Sequence, residues 1–289
     1  MTGPRVSLVV PSYNQASFLE QALRSVLDQE YEPIELIVVD GGSTDDSLEI
    51  VRRHASRIHW WTSEPDTGQA DALNKGFAHA TGEFLGWLSS DDVLFPGAVA
   101  RVVAELQRDP KLLLVYGSAL FVDEAGNEIF PLEARPFDVE TMVRRCANHV
   151  VQPGSLFRRR AWELAGPLAV DAHYLFDFEF ALRVAAHGPV RAIPDRLAAY
   201  RVHPGSKSGG ASLLKARDYV RFADVVLAES ALPGADEGRA SAYLAAGDYF
   251  YDAGRLAEAR GCLWRSFRRR PSRRAAGLLT RTLARSLVP

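Results

Sequence analysis

Gly86-Trp87-Leu88-Ser89-Ser90-Asp91-Asp92-Val93-Leu94 sets two adjacent acids behind an apolar segment. Glu83 to Leu88 is mostly apolar, with Gly82 before it and polar residues after it, which is the pattern of a short buried strand. Two adjacent acids stand where that strand runs out. Beside an apolar strand, a carboxylate pair is costly unless water, a cation or hydrogen bonds compensate it. Two like charges about 4 Å apart near a protein surface repel by about 4 kcal/mol. A divalent cation with oxygen ligands reverses the sign of the problem. The plainer alternative is that Asp91 and Asp92 cap a helix beginning near Pro96.

Upstream, Arg5 to Val10 is a continuous apolar run, as in a parallel sheet covered on both faces. Pro11-Ser12-Tyr13-Asn14 ends it, and Ser17 to Leu27 has helical spacing. A second strand, Ile34 to Val39, closes in Asp40-Gly41-Gly42-Ser43-Thr44-Asp45-Asp46, where Ser43 or Thr44 is expected to cap a helix reaching His54. His59 to Trp61 is a third strand, Glu64-Pro65-Asp66-Thr67-Gly68 a turn, and Gln69 to Ala80 a helix. Beyond the central stretch come a helix, Pro96 to Arg108, and a strand, Leu112 to Tyr116. Strands and helices alternating over short links predict an open, mostly parallel Rossmann-like α/β sheet with helices on both faces. Ligands of such sheets bind beyond the carboxyl ends of the strands. Tyr13, Asp40, Asp66, Asp91 and Asp92 all fall just past strand ends, so they are expected at one edge.

The alternation then loosens. A hairpin over Leu120 to Phe130, helices over Phe137 to Arg145 and Leu175 to His187, and strands ending at Phe157 and Val202 are expected. Gly205 to Ala211 reads as a linker, dividing a domain over residues 1–206 from a helical extension over 207–289. Tyr243, Gly247, Phe250, Gly254, Ala259, Leu263 and Pro271 have the spacing of one tetratricopeptide-type helix pair.

Of the 289 residues, 47% are hydrophobic and 24% charged, enough to bury a core, and the net charge of −2 gives no general argument for nucleic acid. Locally the balance differs. From Arg255 onward ten arginines face one acid, Glu258, so the tail carries about +9 and the remainder about −11. Cys146 and Cys262 are far apart and lack metal-ligand spacing, so a reduced, cytoplasmic setting is expected. Neither a secretory signal nor an apolar run long enough to span a bilayer is visible.

Pro11-Ser12-Tyr13-Asn14, Val39-Asp40-Gly41-Gly42-Ser43-Thr44-Asp45, Glu64 to Asp71, Asn74-Lys75-Gly76 and Leu88-Ser89-Ser90-Asp91-Asp92, in this order, resemble the family 2 glycosyltransferases of GT-A fold. The resemblance covers roughly residues 5 to 206. It implies an inverting transfer of a sugar from a nucleotide-sugar, a UDP-sugar favoured, to a hydroxyl of a saccharide or lipid-linked saccharide. It implies that Pro11, Tyr13 and Asn14 line the base pocket, that Asp40, with Gly41 and Ser43 beside it, accepts the base N–H, and that Asp66, Gln69 and Asn74 lie near the ribose and diphosphate. Asp91 is implied near the ribose or the metal, Asp92 as direct ligand of Mn2+ or Mg2+, and His203 as a residue closing over them. Asp177 aligns with the acid that deprotonates the acceptor; Gly154, Ser155 and Glu179 align with the acceptor side. This chain has Glu179 where relatives often carry Asp, and Phe176 where they carry an acid. No Gln-x-x-Arg-Trp motif of processive synthases is present, which points to single-sugar addition in surface polysaccharide or glycolipid assembly.

Arg265, Arg268, Arg269 and Arg270 flank Trp264 and Phe267, a mixture suited to the inner face of a membrane, although a solvated helix face accounts for it equally. Two rival functions share such a sheet. A sugar-phosphate nucleotidyltransferase would need a Gly-rich basic loop after the first strand, and an inactive domain would serve binding alone.

Overall fold

The computed structural model describes residues 3–207, 213–228 and 230–286. The first half alternates: β1 (Val6–Ser12), α1 (Ala16–Leu27), β2 (Ile34–Asp40), α2 (Ser47–His54), β3 (Trp60–Ser63), α3 (Gln69–His79) and β4 (Phe84–Trp87). Next come β5 (Val93–Leu94), α4 (Ala98–Arg108), β6 (Leu114–Val122), β7 (Glu128–Leu132), α5 (Val139–Arg145), β8 (Leu156–Arg158), α6 (Arg159–Ala165), α7 (Phe176–Ala185) and β9 (Val190–Arg201). After these stand α8 (Leu213–Arg221), a π-helical turn (Phe222–Val226), α9 (Ala235–Asp252), α10 (Leu256–Arg269) and α11 (Arg273–Ser286).

The strands form one sheet in the order β3-β2-β1-β4-β8-β6-β9-β5, with β7 added to β6. β3, β2, β1 and β4 run parallel in register, Ser12 beside Asp40 and Asp40 beside Ser63, so their carboxyl ends share one edge. The rest is mixed. β8 is antiparallel to β4 and β6, β7 to β6, and β5 to β9, while β6 and β9 are parallel. The sheet is therefore less parallel than the sequence alternation predicts.

By their internal contacts the residues divide into two units. The first comprises residues 1–137, 149–170 and 180–208. Its β-strand side chains alternate between two covered faces, which is why the runs read as continuously apolar. Val6, Leu8, Val10, Leu36 and Val38 pack with Leu19, Leu23 and Val26 of α1, Ile50 of α2 and Val99 and Val102 of α4. On the other face α3 lies so close that a Cβ on Gly76 would sit 2.4 Å from a Val9 methyl. Phe77 there meets Trp87, Phe157 and Trp162 edge-on or tilted, with centroids 4.6 to 6.2 Å apart.

The second unit comprises residues 138–148, 171–179 and 209–289. In it α9 and α10 touch closely, since a Cβ on Gly247 would lie 2.6 Å from Leu263 Cγ, and Tyr243 is buried. Most of the linker expected over Gly205 to Ala211 (208–211) lies outside the described residues.

Three local expectations are corrected. α2 is capped by neither Ser43 nor Thr44; it begins after Asp46, and Ser43 bonds Asp40 instead. The N-cap of α4 is Gly97, so Asp91 and Asp92 are not its caps. β6 and β9 run further than predicted, because Gly117 and Pro194, which read as breaks, sit in one irregularity of that strand pair. There the Asp195 carbonyl approaches so closely that a Cβ on Gly117 would lie 2.5 Å from it.

Candidate functional site

In the first unit, the carboxyl ends of the four parallel strands carry a continuous series of polar contacts. At β1, Tyr13 is 59% exposed while Pro11 is buried beneath it. Asn14 takes the left-handed conformation at φ 52°, which Asn tolerates better than most residues. Its backbone N–H donates to Ser43 Oγ at 2.8 Å and its Oδ1 accepts from Thr44 N at 2.8 Å, which joins the first two strand-end loops.

At β2, Asp40 is fully buried. Its carboxylate accepts from Ser43 N at 2.9 Å, from Ser43 Oγ, and from Ser63 Oγ at 2.7 Å. Three of about four acceptor positions on a carboxylate are thereby filled. Gly41 then leaves room for Asp66, because a Cβ on Gly41 would meet Asp66 Oδ2 at 2.6 Å. Burial, with the charges of Asp71 and Asp40 adding, raises the Asp66 carboxyl above its ordinary range, against the Gly68 N–H and Lys75. Gln69 continues the series, its Nε2 3.3 Å from Ser89 Oγ and its Oε1 3.2 Å from Lys207 Nζ.

At β4, Asp91 and Asp92 differ sharply. Asp92 is 3% exposed, and its Oδ1 accepts the Arg201 backbone N–H at 2.9 Å. Burial, and then the neighbouring Asp91 charge, push its carboxyl well above the ordinary range. Asp91 opens further to solvent, and its Oδ2 lies 3.3 Å from His203 Nε2. The His203 ring rests on Phe18, with centroids 4.6 Å apart. Of the two acids, Asp92 is the enclosed one and Asp91 the more exposed.

Arg201 is the residue that the sequence reading missed. Only 3% exposed, it donates from Nε to Asp91 O at 2.9 Å, from Nη1 to Asp123 O and Glu124 O at 3.1 and 2.8 Å, and from Nη2 to Gln21 Oε1 at 2.8 Å. Its guanidinium lies 5.0 Å from the centre of the Phe18 ring. The available signal was a cation directly after the apolar run Leu197-Ala198-Ala199-Tyr200.

Four other residues expected at the site have structural contacts of their own. Asn74 spends its carboxamide on both backbone groups of Leu168, at 2.9 Å each, and so pins a loop. Ser155 is buried and donates to Gln152 O at 2.7 Å within its own turn. Gly154 has φ 82°, and a Cβ there would lie 2.7 Å from Leu197 Cβ, so the fold alone requires it. In the second unit, Glu179 is buried and paired with Arg221 rather than presented to an acceptor.

Asp177, in the first turn of α7, accepts from Asn148 Nδ2 at 3.1 Å on Oδ2 and from Phe178 N at 2.7 Å on Oδ1.

No group of three or more His, Cys, Asp or Glu among the described residues could by itself hold a metal ion. The donor set of Asp91 and His203 nevertheless suits an ion held by one or two side chains plus the phosphates of a substrate.

Residues 7–163 match Glycosyl transferase family 2. An uncharacterized glycosyltransferase of Rickettsia felis is 34% identical over 129 residues, 44% of this chain and 21% of that protein. A chondroitin synthase of Escherichia coli is 29% identical over 198 residues, 66% of this chain and 28% of that protein. The chain thus spans between about a fifth and just over a quarter of these relatives. Among solved structures, S. aureus TarS residues 1–349 superposes with a TM-score of 0.68 at 16% identity, over 97% of this chain and 87% of that one. The mannosyltransferase PcManGT of Pyrobaculum calidifontis, with GDP-Man and Mn2+, gives 0.62 at 24% identity, over 99% and 81%. The structural likenesses show the fold.

Proposed function

The chain belongs to glycosyl transferase family 2, and from that premise we propose that it moves a sugar, with inversion, from a nucleotide-sugar to an acceptor hydroxyl. The observation that carries this reading is the gathering at the carboxyl ends of β1 to β4 of exposed Tyr13, Asp40, Asp66 and Gln69 with the Asp91–His203 pair. Tyr13 offers a ring face to a base, and such stacking is worth about 1–3 kcal/mol. Asp40 is fully buried, so it would shape the base pocket through Ser43 and Ser63 rather than meet a base N–H itself, and a UDP-sugar is the donor favoured because TarS is solved with UDP. Asp91 and His203 would hold Mn2+ or Mg2+ together with the diphosphate, and the ion would supply Lewis-acid stabilisation of the leaving group. Asp92 backs this corner through the Arg201 backbone. Asp177 takes the acceptor proton, a role worth roughly 10²–10⁴ in rate.

TarS is solved with UDP and with UDP-GlcNAc, and PcManGT with GDP-Man and Mn2+. These complexes support a nucleotide-sugar donor and a metal, and the chondroitin synthase supports a setting in surface polysaccharide or glycolipid assembly. The acceptor is a saccharide or a lipid-linked saccharide. Residues 1–206 are the catalytic domain, and the reaction runs on the cytoplasmic side.

No helix among the described residues is long and apolar enough to cross a membrane. We assign peripheral contact with anionic lipid to α10, where Trp264 is 52% exposed and stacked on Phe267. Arg260 and Arg268 on the same helix have no acidic partner among the described residues, and each would add about 1 kcal/mol at such a surface. Co-sedimentation with phosphatidylglycerol vesicles but not phosphatidylcholine vesicles is expected, and lost in Trp264→Ala.

The central test is nucleotide release from a panel of UDP-, GDP-, dTDP- and CMP-sugars with Mn2+. Release from one class, stopped by EDTA and reduced at least about 10²-fold in Asp177→Asn with donor affinity retained, is the expected outcome. Near-normal turnover in Asp177→Asn would remove the base assignment, and no release from any donor would remove the function.

A further inference from the structure

Within the second unit, the segment that carries Asp177 is fastened by the helix beginning at Leu213. Asp218 of α8 is 3% exposed, and its Oδ2 accepts the backbone N–H groups of Tyr174 at 2.5 Å and Leu175 at 3.3 Å. These residues lead directly into α7, where the first amides of a helix have no partner of their own. Asp218 therefore caps α7 from another helix and places a negative charge at the positive end of its dipole.

One turn further along α8, Arg221 extends the same face. Its Nε lies 2.6 Å from Asp171 Oδ2, and its Nη1 pairs with Glu179. One guanidinium thus ties both ends of residues 171–179. Phe222, at the start of the π-helical turn, stacks on Phe178 with centroids 5.0 Å apart and planes at 24°. Turns of that kind are frequent at functional sites. Asn148, the other partner of Asp177, follows α5, which is joined to α9 by Ser241 Oγ donating to Arg144 O at 2.6 Å. Each of these fixed points belongs to the second unit.

We propose that Asp218 and Arg221 are positioning residues for Asp177, so that the helices after residue 212 hold the general base in place. The proposal rests on the reading of Asp177 as that base. Its geometry explains why Glu179 is buried, and why an acid and a base one turn apart on α8 face the start of α7.

The test uses the full chain and two readouts. In hydrogen exchange, Asp218→Ala and Arg221→Met should speed exchange across residues 171–179, while Asp218→Asn, which keeps an acceptor oxygen, should stay close to the parent. In nucleotide release from the panel donors with Mn2+, both disruptive variants should lower kcat about 10²-fold, as a displacement of about 1 Å does, with donor KM unchanged. Placed on Asp177→Asn, they should cost nothing more. Unchanged exchange, a loss confined to KM, or a further full loss on Asp177→Asn would overturn the positioning role. Normal turnover in Asp177→Asn alone would instead overturn the base reading, which keeps the two failures apart.

Discussion

Arg201 follows an apolar run that gives no reason to expect a buried cation, yet its guanidinium satisfies three backbone carbonyls and a glutamine while its own N–H holds Asp92. Alternation along β9 gives its position, but not that four acceptors from two loops and α1 meet there. The same limit explains Asp91 and Asp92. Sequence shows two acids at a strand end, and only packing decides which is enclosed. Arg201→Ala would strand those acceptors beside the buried Asp92, whose charge Arg201 offsets, and breaking a buried ionic arrangement costs about 3–5 kcal/mol. Equilibrium urea unfolding should report a loss of that size. Loss of donor binding with unchanged stability would assign Arg201 a ligand role instead.

At the scale of elements, β1 to β4 were legible because strands buried on both faces are apolar throughout, and their polar ends mark the edge directly. β9 was seen only in its second half, and α6 not at all. Pro194 and Gly117 look like stops until they are opposed in one irregular strand pair. At the other end of β2, Glu35 is 3% exposed and accepts from Ser7 Oγ, Thr81 N and Thr81 Oγ1 at 2.5 to 2.7 Å. Burial alone would raise its carboxyl, but those hydrogen bonds outweigh it and hold the group below the ordinary 4.5. A depressed folded value contributes stability that is complete above the ordinary value and is lost as pH falls through the folded one. Thermal stability should therefore decline from about pH 4.5 downward. Glu35→Gln should flatten that decline and cost about 1–3 kcal/mol at neutral pH, with nucleotide affinity untouched. A variant with the parent's acid profile would contradict this.

For the molecule as a whole, the sequence placed its division at a glycine-rich stretch, and the helices beyond it read as an appendage. The contacts divide the residues otherwise. Segments 138–148 and 171–179 group with the C-terminal helices, although both precede the stretch that looked like a linker. Composition marks where a chain becomes irregular, not which earlier segments a later helix captures. Asp218 and Arg221 hold residues 171–179 and Ser241 holds Arg144, and none of these has a local signature. The account as a whole depends on the edge formed by β1 to β4 being a nucleotide site completed by a metal. Its most direct test is a thermal-shift titration of UDP, GDP, dTDP and CMP with and without Mn2+, on the parent and on Asp91→Asn. One nucleotide should raise Tm markedly only when Mn2+ is present, Mn2+ alone should do little, and Asp91→Asn should lose the Mn2+-dependent part while keeping a weak nucleotide response. Equal shifts in the parent and Asp91→Asn, or none with any nucleotide, would contradict it.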